Sequence, residues 1–375
     1  MESETGQVSG QPPQGGGQGA AAQSAWQPQR PGPLAPPAPR PGSTMKGCLI
    51  AMVLCGAFLC LVVVGMVLLV VVVGAAGLES VRYADGRIRM REVSLGGRRG
   101  ALKVVCIPVS GMIVGNSMPD MELSPAAVFT ERLRRAAADD RVAGVLLYVE
   151  SPGGEITAAD IMLEELKRFR QKTHRPVVAC LMDVAASGGY YVACGSDVIV
   201  AHPTTITGSI GVILLHFDAT RLLDKIGVKD ESITSGTFKD MLSPTAEKSE
   251  EQKARERAVA QDIVMQLRDR FVQVVAEGRT GLTREQVDRL ADGRIFTAQQ
   301  ALDNKLIDLI GYQEDAIDEA KKRVGTADIQ LVYYELPPTF ADLFGSLVKA
   351  PEVKLDLKGS IPVGPRPMYL WQPGQ

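Results

Sequence analysis

Between Cys48 and Val73 the sequence reads CLIAMVLCGAFLCLVVVGMVLLVVVV, an unbroken run without a charged residue. No other feature restricts the chain so strongly. At about 1.5 Å of rise per residue, the run makes a helix long enough to cross a hydrocarbon core of about 30 Å. It is too long, and too far from Met1, for the apolar part of a cleaved leader. A single membrane-spanning helix over 46–78 is therefore expected. Arg30, Arg40 and Lys46 precede it, and Arg82, Arg87, Arg89 and Arg91 follow. That bias slightly favours the following region on the cytoplasmic side. Residues 1–45 are rich in Gly, Pro and Gln and hold too little apolar surface to offset the entropy of ordering, so a disordered tail is expected.

The remainder, with a linker over 79–101, a domain over 102–335 and a Pro-rich tail over 336–375, has to hold any chemistry. The whole chain has 375 residues and a formal charge of -2. Near-neutrality argues against an unspecific nucleic-acid binder, which carries a basic excess. Of six cysteines, Cys48, Cys55 and Cys60 fall in the apolar run, while Cys106, Cys180 and Cys194 lie in apolar surroundings. There is no CxxC and no Cys/His cluster, so no metal site is expected and the last three read as buried thiols.

From Leu102 onward the apolar period alternates between strand and helix. Leu102 to Val109 reads as a strand. Ser124-Pro125 starts a helix to about Ala138, with Ser as N-cap and Pro at the first helical position. Val142 to Val149, VAGVLLYV, is a strand buried on both faces, and Ser151-Pro152-Gly153-Gly154 reads as the turn after it. Ile156 to Gln171 is an amphipathic helix and Val177 to Met182 another buried strand. Further strands are expected at Asp197 to Ala201, Gly211 to Leu215 and Lys229 to Thr234. Helices are expected over Ala219 to Lys225, Ala246 to Ala276, from Thr283, over Thr297 to Asn304 and over Gln313 to Val324. Strand–helix alternation of this kind means an α/β domain with largely parallel strands.

Chemistry in such domains sits at the carboxyl ends of the strands. No phosphate-binding glycine pattern is present. In Ala185-Ala186-Ser187-Gly188-Gly189, by contrast, a serine between small residues opens a helix. Its hydroxyl can be exposed, and the amide after it, with one from Gly153 or Gly154, can face a substrate carbonyl. Two such donors make an oxyanion hole, where losing one costs about 3 kcal/mol of barrier lowering. The bland alternative is a serine helix cap with glycines for close packing. A serine nucleophile needs a base, usually His, but His174, His202 and His216 all read as structural. A neutral lysine can replace it. A free lysine titrates near about 10.4, and lowering that by about 3 units needs roughly 4 kcal/mol of desolvation or repulsion. Lys239, in Gly236-Thr237-Phe238-Lys239-Asp240-Met241-Leu242, has apolar neighbours. It is a better candidate than Lys248 or Lys253, although a surface lysine remains the plainer reading.

These residues, together with Glu150-Ser151-Pro152-Gly153-Gly154, Thr207-Gly208-Ser209-Ile210-Gly211-Val212, Gly293-Arg294, Ala301 and Leu306-Ile307-Asp308, resemble the bacterial signal peptide peptidases of the SppA type in order and spacing over about 104–335. The resemblance implies the Clp protease/crotonase fold, a spiral core of repeated β-β-α and βαβ units, here behind an N-terminal transmembrane helix. It implies a serine endopeptidase with Ser187 as nucleophile, Lys239 as general base and Ser209 as a helper hydrogen-bonded to the lysine. Gly153, Gly154 and Gly188 match the oxyanion and substrate-binding segments, and no cofactor is implied. One copy of the dyad matches the short form of the family, whose members form rings or domes with serine and lysine supplied by neighbouring subunits, so Ser187 and Lys239 of one protomer are expected to lie apart. The implied substrates are signal peptides or other apolar peptides. The implied location is the bacterial inner membrane, single-pass, with the catalytic domain outside the cytoplasm, against the mild charge bias. A crotonase-type acyl-CoA enzyme and a non-catalytic membrane scaffold are the alternatives.

Overall fold

The structure, a computed structural model, describes residues 44–81, 88–115, 124–336 and 367–370. The expected disordered tail, most of the C-terminal tail and part of the linker lie outside the described residues. The chain divides into two units, Met1–Leu68 and Leu69–Gln375.

Helix α1, Thr44–Val81, is continuous over 38 residues and contains the whole uncharged run. Its side chains are described without a break only from Ile50 to Met66, all exposed. Among the described residues no helix is long and apolar enough to cross a membrane. That stretch falls just short of the about 20 residues a span needs, and of the rest of the run only Leu68 and Leu69 have described side chains, both exposed.

Beyond α1 the order is β1 (Arg91–Gly97), β2 (Leu102–Ile113), α2 (Pro125–Ala138), β3 (Val142–Glu155), α3 (Ile156–Thr173), β4 (Val177–Ala186), α4 (Gly188–Ala193), β5 (Val198–Ala201), β6 (Ile206–Gly208), β7 (Ile213–Leu214) and α5 (Thr220–Lys225). Then come α6 (Glu250–Gly278), α7 (Arg284–Leu290), β8 (Ile295–Thr297), α8 (Ala298–Asp303), β9 (Leu309–Ile310), α9 (Gln313–Val324), β10 (Ile329–Glu335) and β11 (Pro367–Leu370). One mixed sheet runs β1-β10-β2-β3-β4-β5-β9. From β10 to β9 every neighbour on this path is parallel, and β1 closes the edge antiparallel to β10.

Alternation of side chains explains why the central strands are apolar throughout. Val105, Ile107, Val145, Leu147, Ala179 and Leu181 face one core with α2, α3 and α4. Val104, Cys106, Leu146, Val178 and Cys180 face the other, covered by Ala316 and Ala320 of α9. The helix starts follow their cap residues. Ser124 Oγ accepts from the Ala127 amide at 3.2 Å, and Ser249 with Gln252, Thr283 with Gln286 and Thr297 with Gln300 form reciprocal capping boxes.

Three expectations need correction. Ser151–Gly154 is not a turn: β3 continues through it with a register shift between Val149 and Ser151. Residues 229–234 form no strand, and the stretch is exposed, with Ile233 fully so. The strand expected over Gly211 to Leu215 shrinks to Ile213–Leu214. Strands β1 and β10, which the apolar pattern did not single out, are held by pairing to each other and to β2.

Candidate active site

Strand β4 delivers Ser187 to the start of α4, and the backbone there is unusual. Ser187 has φ 52° and ψ -116°, a region that costs a non-glycine residue about 1–3 kcal/mol and persists only where its surroundings impose it. One long-range bond and the first turn of α4 impose it. The Ser187 amide donates to Gly208 O at 2.8 Å, and the Tyr191 amide donates to Ser187 O at 2.8 Å. Helix α4 is fixed beneath. Tyr190 Oη donates to Leu306 O at 2.7 Å and Tyr191 Oη to Asp160 Oδ1 at 2.5 Å. A Cβ at Gly189 would stand 2.8 Å from Ser151 O, so only glycine lets α4 pack this closely on β3.

The Ser187 side chain makes no capping bond. Its Oγ is buried without any hydrogen-bond partner, a state shared among the described residues by Ser196 Oγ and Tyr334 Oη. An unsatisfied buried hydroxyl costs about 1–3 kcal/mol. The cap explanation for this serine therefore fails. Of the three orphans, Ser187 alone also sits on strained backbone.

Ser209 is brought beside it. Ala186 of β4 is the parallel ladder partner of Gly208 of β6, so the two serines follow paired residues. Ser209 is buried with φ 50°, and its amide donates to Arg294 O at 2.8 Å.

At the end of β3, Ser151 matters in a way the sequence reading overlooked. Its Oγ donates to Gly111 O at 2.6 Å and accepts from the Gly153 amide at 3.1 Å. Gly153 is thus an engaged donor here, not one free to face a substrate carbonyl. A Cβ at Gly154 would lie 2.1 Å from Ile113 O, so the close approach of β2 and β3 demands glycine. Gly188 opens α4, where the first amides have no acceptor within the helix. Strand β11 pairs antiparallel with Gly153–Glu155 on one side and with Ile213–Leu214 on the other.

Lys239 is not bonded to Ser187. It is exposed on the segment between α5 and α6, and Ser187 Oγ bonds to neither it nor any other residue. The histidines are placed elsewhere: His174 is the left-handed C-cap of α3, His202 Nδ1 lies 2.8 Å from Thr204 Oγ1, and His216 is exposed. Burial pushes the thiols of Cys106 and Cys194 up to about 12 and that of Cys180 to about 11, which suppresses thiolate chemistry. Among the described residues no group of three or more His, Cys, Asp or Glu side chains is placed to hold a metal ion. A cavity of about 820 Å³ lined by Arg89, Arg135, Phe169 and Lys172 contains none of the candidate residues.

Known proteins give this arrangement its class. The pattern described as Peptidase family S49 matches residues 169–327. The chain is 41% identical over 236 residues to an Enterococcus faecium protein provisionally named signal peptide peptidase SppA, covering 62% of this chain and 67% of that one. It is 32% identical to Protease 4 of Salmonella typhi, over 56% of this chain but only 33% of the relative. It is 33% identical to the chloroplastic serine protease SPPA of Arabidopsis thaliana, over 52% of this chain and 28% of the relative. A solved ClpP1 mutant from Listeria monocytogenes aligns with 56% of the chain and 94% of its own at 14% identity and a TM-score of 0.36. The chain belongs to peptidase family S49 and is a serine peptidase.

Proposed function

We propose that this peptidase is membrane-anchored and cleaves apolar peptides, signal peptides among them, by an acyl-enzyme mechanism on Ser187. The observation that carries the site assignment is the Ser187 hydroxyl, held on strained backbone with no bond to any other group. A groove for an extended peptide adjoins it, since β11 lies there as a strand between β3 and β7. A peptide that replaced β11 would gain main-chain bonds from the same edges, as in strand addition.

In the reaction, Lys239 takes the Ser187 proton and Oγ attacks the peptide carbonyl. The amides at Gly188 and Gly154 face the oxyanion, the protonated lysine returns its proton to the leaving amine, and water then releases the acid. Ser209 holds the lysine amine. A lysine base has to be desolvated, and Lys239 is exposed in the single chain. A neighbouring copy in a ring or dome therefore supplies both the cover and the partner serine. The spiral Clp protease/crotonase arrangement suits such an assembly. The anchor rests on the uncharged run within α1, and the single-pass location in a bacterial inner membrane, with the catalytic domain outside the cytoplasm, rests on the resemblance of the motifs.

Ser187→Ala and Lys239→Ala, assayed on an apolar peptide, are expected to lower kcat by at least roughly a thousandfold with the assembly intact. Lys239→Ala retaining most of its activity at neutral pH would refute the dyad.

A further inference from the structure

The segment that presents Lys239 is tied down by two buried charges that the mechanism above does not use. The side chains of Lys248 and Glu256 are only 8% and 6% exposed. Lys248 Nζ donates to Glu256 Oε1 at 2.6 Å and to the main-chain oxygen of Asp240 at 2.6 Å, and it lies 3.3 Å from Asp240 Oδ2. Glu256, on α6, uses its other oxygen to accept from the Leu242 amide at 3.0 Å. One ion pair therefore grips the main chain at 240 and 242, directly after Lys239.

The grip answers a local need. Residues 236–243 form successive tight turns, with the amides of Lys239, Met241 and Ser243 donating to Gly236, Phe238 and Asp240 oxygens. Leu242 is buried with φ 56°, a left-handed conformation that a leucine adopts only under constraint. Its amide would otherwise lack a partner in a buried setting, whereas the Asp240 oxygen also accepts from the Ser243 amide at 2.9 Å. A buried ion pair is by itself a poor source of stability, because desolvation offsets its attraction. Its value here is geometric. The flanking residues Ile233 and Phe238 are exposed, so without the pair Lys239 would ride on a loosely held loop.

We propose that Lys248 and Glu256 are positioning residues, which fix the backbone of the Lys239 segment to α6 and so set where the lysine amine can reach. The proposal rests on the reading of Lys239 as the base. Misplacing a catalytic group by about 1 Å costs about a hundredfold in rate, and loss of the grip acts through that displacement.

The test uses the full chain and an apolar peptide substrate. Lys248→Met with Glu256→Leu replaces the pair by apolar groups of similar size, leaving no buried charge unpaired and only the part-exposed Asp240 carboxylate without its cation. Lys248→Met with Glu256→Gln keeps an acceptor for the Leu242 amide. The Leu pair is expected to lower kcat about thirtyfold with KM within about twofold, and to speed hydrogen exchange at Leu242. The Gln pair is expected to recover kcat to within about fivefold of the parent. Glu256→Asp keeps the charge but withdraws the carboxylate, and about a tenfold loss is expected even if the Leu pair fails to fold. Parental kcat in Glu256→Asp, or equal losses in the Leu and Gln pairs, overturns the proposal. Lys239→Ala run alongside separates the two readings. If it is inactive while the pair variants are fully active, only the positioning role falls; if it is active, the base assignment falls and the positioning role with it.

Discussion

Two serines on left-handed backbone, Ser187 at φ 52° and Ser209 at φ 50°, end adjacent parallel strands. Neither conformation is one a serine chooses locally, and each is imposed by a main-chain bond to a distant segment, Gly208 O and Arg294 O. Substituting Ser209 tests whether its hydroxyl or only its backbone matters. Ser209→Gly relieves the backbone and removes the hydroxyl, so it and Ser209→Ala are both expected to lower kcat about tenfold without abolishing activity. Parental kcat in the glycine variant would dismiss the helper role.

The Arg279–Asp308 pair under α4 gives a pH prediction. Arg279 donates to both carboxylate oxygens, at 2.8 and 2.6 Å, and the Ile199 amide donates to Oδ2 at 2.8 Å. Burial pushes Asp308 upward, but the guanidinium and this amide outweigh it and hold the carboxyl below its ordinary value. A depressed folded value means the stabilisation is complete above the unfolded carboxylate range, about 3.9, and is lost as pH falls through the folded one. Thermal melts from about pH 7 to about pH 3 are expected to lose stability at the acid end, and Asp308→Asn to melt lower at neutral pH with a flatter acid arm. An unchanged acid arm in that variant would place the acid sensitivity elsewhere.

Among elements, β3 is the one whose length its neighbour decides. Its apolar half is plain from VAGVLLYV. Its continuation through Ser151–Glu155 depends on pairing with Met112 and Ile113, on the Ser151 hydroxyl bonded to Gly111 O and on the absence of a Cβ at Gly154. A Ser-Pro-Gly-Gly string reads locally as a turn, and only the neighbouring strand overrules it. The same edge carries β11. If peptides take the edge that β11 occupies, as proposed, removing residues from Pro367 onward is expected to lower KM for short apolar peptides severalfold with kcat little changed. A KM that stays the same would mean that peptides enter by another edge. On the far side of α4, Gly278 of α6 has no room for a Cβ, which would stand 2.2 Å from Cys194 O. Helix α6 thus registers against the helix that Ser187 opens at one end and grips the Lys239 segment near the other.

At the scale of the molecule, the single chain leaves Ser187 and Lys239 unjoined. Ser187 Oγ has no partner, and around the Lys239 segment Phe217, Leu222, Ile226, Ile233 and Phe238 are exposed large apolar residues. Exposed apolar surface of this kind marks an interaction face, and the proposed function assigns it to a second copy. If serine and lysine come from different copies, mixing Ser187→Ala with Lys239→Ala subunits regenerates intact pairs. Up to roughly a quarter of parental activity is expected after random reassembly of a symmetric oligomer. No recovery in a mixture shown by cross-linking to contain both variants would place both groups in one chain.

What the sequence determined by itself was local: the uncharged run, the apolar strands, the capped helix starts and the small-residue setting of Ser187. Each depends on the period of apolar residues or on a side chain reaching an amide within one turn, so a short window contains the cause. The tertiary structure alone decided what depends on distant partners. It put Ser209 beside Ser187, engaged the Gly153 amide with Ser151, paired β11 with β3 and β7, and closed Lys248 and Glu256 over the Lys239 segment. It also left Ser187 unbonded and Lys239 exposed in one chain. The physical reason is common to all of these: strained backbone and buried charge persist only where long-range contacts over-determine them, and no local pattern records those contacts.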